Sequence, residues 1–217
     1  ALSAGAKAAY IIRQPIVAAI GASIPIGSPS GHMIVEIGGG TTEVAVISLG
    51  GVVASDSVRI GGVKFDQAIM DHIRKKYNLA VGERTAEEIK IRVGSAMYLE
   101  DKLEMEVKGR DMITGLPKIM IVTSDDVTEA IQSLLEGILE AVKEVLYKTP
   151  PELSADVMDK GIVISGGSAQ LRNFDRLIAE ATGVPTYLAE ESQLCVAKGT
   201  GIALDNLDAY KRSVFTG

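Results

Sequence analysis

The run Ile34-Val35-Glu36-Ile37-Gly38-Gly39-Gly40-Thr41-Thr42-Glu43 is the segment of this chain best equipped for chemistry. An apolar strand runs into three consecutive glycines and out into a second strand. Glycines at such a bend let backbone N–H groups approach a phosphate with no side chain in the way. The threonine hydroxyls add donors or hold a water, and the acid at the strand end, Glu36, is placed to hold a hydrated Mg2+. A plain hairpin turn needs two glycines, so an acid, three glycines and two threonines exceed its requirements. The run is neither a Walker loop nor a dinucleotide-binding fingerprint, because it has no Gly-Lys-Ser and no strand–glycine–helix context.

A second run, Ile162-Val163-Ile164-Ser165-Gly166-Gly167-Ser168-Ala169, ends a strand in two glycines and opens a helix. A helix N-terminus at a strand end makes an anion- or nucleoside-facing corner. Alone, the run is better explained as a tight strand–helix turn. Its weight comes from sharing a sheet with the first run, because α/β sheets bind ligands at the carboxyl ends of their strands.

Positioning both loops requires a sheet with helices. Met33–Ile37, Glu43–Leu49 and Val52–Ile60 are predicted strands, with Gly50-Gly51 as a two-residue hairpin turn. Phe65, Ile69 and Ile73 mark one stripe of a helix that follows Gly61-Gly62. Thr85 with Glu88 has the pattern of a capping box. Leu103–Lys108 alternates like an exposed strand, and Asp111–Pro117 is rich in turn residues. Lys118–Thr123 is a strand where the main pattern resumes, and Ser124 is a candidate cap for a long helix striped by Val127, Ile131, Leu134, Ile138, Val142 and Val145. Pro150-Pro151 stops that helix. Gly161–Ser165, a helix over Gln170–Thr182, a short strand at Thr186–Leu188 and a helix over Leu194–Leu207 complete the series. Upstream, Ala1–Ala9 has the look of a helix end, Tyr10-Ile11-Ile12 of a short buried strand, and Ile16–Ile20 of a helix. The tail from Asp208 is expected to fray. The order gives an α/β domain with a mixed sheet covered by helices on both faces and a small inserted α+β subdomain.

The chain has 217 residues, of which 47% are hydrophobic and 4% aromatic, so its core must be aliphatic. A net charge of −6 argues against nucleic acid as a partner, because phosphate contacts need clustered Lys and Arg. The single cysteine, Cys195, fits a reducing cytoplasm and is expected to be a buried structural thiol. No apolar stretch reaches the length of a membrane span. His32 and His72 lack metal-ligand spacing. The acidic residues between Glu83 and Glu104 are most simply a solvated surface.

The two glycine loops and the Gly61-Gly62-x-x-Phe65-Asp66 turn together resemble the superfamily of actin, DnaK-type chaperone and sugar-kinase ATPases. Gly38–Gly51, Ile73–Gly94, Leu103–Pro117 and Thr149–Gly161 narrow the resemblance to the MreB family of bacterial actin-like proteins. It covers nearly the whole chain and implies an RNase H-like half of a two-half fold with ATP between the halves. On that resemblance, residues 1–21 would end the first half, 22–77 and 118–190 would form the RNase H-like core of the second, 78–117 would be the inserted subdomain, and 191–217 would return to the first half. Gly38, Gly39 and Gly40 would contact phosphates, with Thr41 helping to place the attacking water. Glu87 and Lys90 would face ribose and adenine, although by spacing alone they are a solvated helix face. Gly166, Gly167, Ser168 and Ala169 would close over the adenosine. ATP and Mg2+ are the implied cofactors. Self-association into filaments that govern cell shape is the implied assembly, cytoplasmic and associated as a filament with the membrane and with cell-wall synthesis proteins. A monomeric kinase or a chaperone ATPase on the same fold would be the alternatives.

Two positions depart from the family pattern. Glu36 stands where Asp is usual, one methylene longer at the metal. Gln14 stands where Glu is usual; an amide can orient a water but cannot take its proton, so slow ATP turnover is expected. The family's opening phosphate loop is also absent from this sequence. The chain is therefore expected to be a fragment that binds ATP weakly and is inactive alone, the full-length protein being a weak ATPase.

Overall fold

Apolar residues fill both faces of the strands at 33–37 and 44–47, so helices must cover both sides of the sheet they form. The computed structural model describes residues 1–210 and 213–216. Along the chain these form β1 (Tyr10–Ile12), α1 (Gln14–Gly21), β2 (His32–Ile37), β3 (Thr42–Ser48), β4 (Gly51–Val58), α2 (Gly62–Tyr77), β5 (Leu79–Ala80), α3 (Glu83–Val93), β6 (Glu104–Asp111) and β7 (Pro117–Thr123). Then come α4 (Ser124–Lys148), α5 (Pro151–Lys160), β8 (Ile162–Ser165), α6 (Phe174–Thr182), β9 (Thr186–Leu188), α7 (Cys195–Asp205) and β10 (Val214–Thr216).

A five-stranded sheet has the order β4-β3-β2-β8-β9, antiparallel from β4 to β2 and parallel from β2 to β9. This is the expected mixed sheet. Met33, Val35, Ile37, Val44 and Val46 face a core shared with α2, α4 and α6. Ile34, Ala45 and Ile47 face the other side, against Ile16, Ala19 and Ile20 of α1 and Ala203 of α7. α1 and α7 touch almost backbone to backbone. A Cβ at Gly21 would stand 1.8 Å from the Cys195 carbonyl oxygen, and one at Gly199 would stand 1.8 Å from that of Val17.

A three-stranded antiparallel sheet, β5-β6-β7, packs with α3 as a second body. β7 pairs with β6 from Glu104↔Thr123 to Arg110↔Pro117, so the strand expected to resume the main sheet belongs to the insertion, which reaches Thr123. α4 joins the two bodies. Its 25 residues are roughly 37 Å long. Gly137 lies beside Ile60, just past the end of β4, so the later residues run along the sheet and the earlier ones project beyond it to α2 and β7.

Several local expectations shift. The hairpin turn is Leu49-Gly50, not Gly50-Gly51, with φ of 52° and 74°. Leu49 accepts the left-handed region because its N–H bonds the Ser28 carbonyl, the Gly50 N–H bonds that of Ile26, and the Ser213 hydroxyl donates to the Gly50 carbonyl. Thr85 caps nothing, since α3 already starts at Glu83 behind Gly82. The capping box forms one helix later, where Thr123, not Ser124, exchanges bonds with Asp126. Pro151 opens α5, which the paired prolines hid. The helix expected from Gln170 is a 3-10 turn over Gly167–Gln170 and then α6, separated by Asn173 at φ 61°. Ala1–Ala9 holds only a 3-10 turn over Leu2–Ala4, and Ile11 is 62% exposed in a strand expected to be buried. Within the tail expected to fray, β10 pairs with β1, and Lys211, Arg212 and Gly217 lie outside the described residues. Among the described residues, no helix is long and apolar enough to cross a membrane.

Candidate functional site

Gly38–Thr41 leaves the carboxyl end of β2 and closes with a bond from the Gly38 N–H to the Thr41 carbonyl, 2.9 Å. Its carbonyls point back into the protein. That of Gly38 accepts from the Gly62 N–H at 3.0 Å and the Ser168 hydroxyl at 2.9 Å, and that of Gly39 accepts from the Val63 N–H at 2.9 Å. The first amides of α2 are thereby satisfied by the turn. The N–H groups of Gly39, Gly40 and Thr41 enter no backbone bond among the described residues. The Thr42 hydroxyl donates to the Ile60 carbonyl, so only that of Thr41 stays on the turn.

The second corner lies beside the first because β2 and β8 are parallel neighbours, with Glu36 opposite Ser165. Gly166 has φ 92°, and a Cβ there would stand 2.3 Å from the Ile37 carbonyl oxygen. A Cβ on Gly61 would stand 2.6 Å from the Gly38 carbonyl oxygen, and one on Gly62 would stand 2.7 Å from the Ser168 hydroxyl. A Cβ on Gly39, Gly40 or Gly167 would meet nothing within 4 Å. Three glycines thus allow the corners to interlock, and three others face open space.

α3 supplies a third wall. Lys90 Nζ lies 2.8 Å from Asp66 Oδ1 and donates to the Gly62 carbonyl at 3.4 Å. Burial raises the Asp66 carboxyl above its ordinary range, with the Lys90 bond opposing. A cavity of about 620 Å3 lies between these elements, lined by Gly39, Gly62, Glu87, Lys90, Gly167 and Ser168 among others. Asp66 and Arg172 also line it. Neither has a role evident in the sequence alone, although Asp66 stands four residues after Gly62, one turn into the helix that starts at the site. Ala169 is 2% exposed and puts its methyl into the core, so it can meet a ligand only through its backbone.

Gln14, Glu36, Gly38, Gly40, Thr41 and Gly166 do not line this cavity. Glu36 is 4% exposed and points to the α1 side of the sheet, where Gln14 Nε2 donates to its Oε2 at 2.7 Å. Its other oxygen lies 2.9 Å from where a Gly166 Cβ would stand, and both oxygens lie 3.5 Å from the Cβ position of Gly38. Burial pushes the carboxyl from 4.5 up to about 7, against the Gln14 bond and with help from Glu43. The Ser165 hydroxyl is buried without a hydrogen-bond partner. Cys195 is fully buried, as expected, and burial raises its thiol. His32 meets Ser28 and His72 faces Asp126; among the described residues no cluster of three or more His, Cys, Asp or Glu could hold a metal.

The sequence profile of the MreB/Mbl protein family matches residues 1–212. The chain belongs to the MreB/Mbl family. Among MreB/Mbl relatives, the cell shape-determining protein MreB of Escherichia coli is 47% identical over 216 residues, covering 100% of this chain and 62% of the relative. The cell shape-determining protein Mbl of Bacillus cereus is 48% identical over 204 residues, covering 94% and 61%. The chain thus spans about three fifths of the length of the curated MreB and Mbl proteins it matches. MreB5 of Spiroplasma citri bound to ADP superposes with a TM-score of 0.87 at 38% identity, covering 92% of this chain and 61% of that one; the same protein bound to AMPPNP matches equally well. MamK in a double-helical filament, at 20% identity and a TM-score of 0.74, shares the fold. The actin-like fold expected from the glycine motifs is therefore the fold of this MreB/Mbl chain.

Proposed function

We propose that this chain supplies the second half of an actin-like nucleotide clamp that binds ATP with Mg2+ and drives assembly into filaments. The supporting observation is that both glycine corners and α3 converge on one cavity, with Gly39 and Gly167 presenting bare backbone to it. Unpaired amides at the first turn suit phosphate oxygens, and Glu87 and Lys90 suit the ribose and base. Glu36, buried beneath Gly38 and Gly166, fits a role reaching the metal through water. Bound Mg2+ would offset charge on the phosphates. In this reading, hydrolysis is slow because residue 14 is an amide. β1 and β10 lead toward the first half of the clamp, α1 and α7 pack on the sheet of the second, and residues 22–77 and 124–190 form the core of that second half. The 78–117 insertion is extended by β7.

Assembly rests on a second pair of features. The β6–β7 tip exposes Met112, Ile113 and Leu116, beyond the far end of α2, where the Met112 N–H bonds the Asn78 carbonyl. A cavity of about 270 Å3 lies at the opposite end of the large sheet, lined by Ile24, Pro25, His32, Met33, Lys160 and Val163. An apolar knob at one end and an apolar hollow at the other make a head-to-tail contact that repeats without closing. Filaments so built would act in cell shape, in keeping with the cell shape-determining relatives, and in wall synthesis at the membrane. The nucleotide reading is tested in the full-length protein with Gly39→Val. ATP affinity measured by calorimetry should fall at least tenfold while the melting curve is kept; unchanged affinity would sink it.

A further inference from the structure

Lys90 reaches from α3 to the first turn of α2, where its ammonium lies 2.8 Å from Asp66 Oδ1 and donates to the Gly62 carbonyl at 3.4 Å. The two side chains of the pair are largely withdrawn from solvent, at 13% and 15% exposure. An ion pair so enclosed is weakly screened, and neither partner can be removed without leaving the other as an unpaired charge. Glu87 stands three residues before Lys90 on the same helix, so the two side chains are neighbours on one face. Both line the cavity of about 620 Å3. Lys90 is nonetheless drawn across to α2, and among the described residues no cation lies within 4 Å of the Glu87 carboxylate. Burial raises the Asp66 carboxyl, Lys90 opposes this, and Glu87 and Glu83 add to the rise, so three carboxylates surround one ammonium and Asp66 holds it. The other cation of the lining, Arg172, gives its Nη1 to the Gly94 carbonyl at 2.9 Å. Glu87 is therefore the one charged group of the lining left without a partner among the described residues. A carboxylate only accepts hydrogen bonds: it suits the hydroxyls of a sugar and repels a phosphate.

We infer that Asp66 is a positioning residue that sets the selectivity of the site for ribose: by holding Lys90 on α2, it keeps the ammonium off Glu87 and leaves that carboxylate to accept the vicinal hydroxyls of the nucleotide. The inference rests on the reading that this cavity takes the nucleoside side of ATP. With the Asp66 charge removed, Lys90 turns back onto Glu87 one turn earlier on α3, and the sugar meets a carboxylate already engaged.

The test uses the full-length protein, with ATP and 2′,3′-dideoxy-ATP as probes in calorimetry. The unaltered protein should prefer ATP by about tenfold, as hydrogen bonds to a charged acceptor predict. Asp66→Asn should weaken ATP binding and shrink that preference to within about twofold. Asp66→Glu keeps the charge and should keep the preference. Lys90→Met removes the cation from both acids, so the preference should persist while overall affinity falls. In nucleotide-free protein, the melting losses of Asp66→Asn and Lys90→Met should not add in the double variant, because each breaks the same pair. The inference is overturned by equal affinity of the unaltered protein for the two probes, by a preference unchanged in Asp66→Asn or lost in Lys90→Met, or by melting losses that add. If the unaltered protein bound no ATP, the functional reading itself would fail; ATP bound with the preference unmoved by Asp66→Asn sinks the inference alone.

Discussion

Asp126 is 2% exposed and pays for burial with partners on every side. Burial pushes its carboxyl upward, but bonds from Lys76, Thr123 and Tyr77 outweigh that and hold it at about 2. It pins the end of α2 to the start of α4 and stays ionised across ordinary pH. Glu36 is also buried but receives a single neutral donor, so its carboxyl rises to about 7. The folded value lies above the ordinary one, so its stabilising contribution is complete below about pH 4.5 and is lost as pH rises through 7. Replacing Glu36 with Gln should therefore stabilise nucleotide-free protein at pH 8.5 by up to about 3 kcal/mol, with little effect at pH 4.5. Melting curves across that range check it, and a difference that does not grow with pH would contradict it. The sequence identified Glu36 as the acid of interest from its place before three glycines. It could not show that Gln14, 22 residues earlier, would be its partner, because only the packing of α1 on the sheet brings them together.

The glycines of the two corners divide by what surrounds them, and substitution should separate the groups. Gly166→Ala demands a left-handed alanine with its methyl 2.3 Å from a carbonyl oxygen, and should cost about 3 kcal/mol of stability. Gly167→Ala enters open space and should change stability by less than about 0.5 kcal/mol while weakening nucleotide binding. Chemical denaturation with parallel ATP titration distinguishes them; equal stability losses would refute the division. β2 and β3 of the large sheet were legible because their apolar residues face cores on both sides. The small sheet was less so: β7 looks like a main-sheet strand by composition, and only its register with β6 shows where it belongs. Capping failed for the same kind of reason. Thr85 has the right spacing to Glu88, but the helix begins two residues earlier, whereas Thr123 and Asp126 coincide with a real helix start. Asp66 stood in the glycine turn's motif, but its pairing with Lys90 was not legible because that partner comes from another helix.

At the scale of the molecule, the apolar tip of the insertion and the hollow at the base of the sheet are two halves of one proposed contact. Ile113 is 78% exposed, so Ile113→Asp should leave the monomer's melting temperature within a degree or two while abolishing sedimentation of the full-length protein with ATP. Normal pelleting would remove the tip from the interface. The distance between these ends is bridged by α4, and its midpoint is a glycine. Gly137 rests against the flexible end of Ile60 at the rim of the sheet, with about twenty ångströms of rigid rod on the insertion side. Such a rod is a lever on a fulcrum: a tilt of about five degrees at Gly137 swings its far end by roughly 2 Å. If the proposed contact holds, a shift too small to break a single bond around the cavity would be magnified at the outermost loop, deciding whether the tip meets the next subunit.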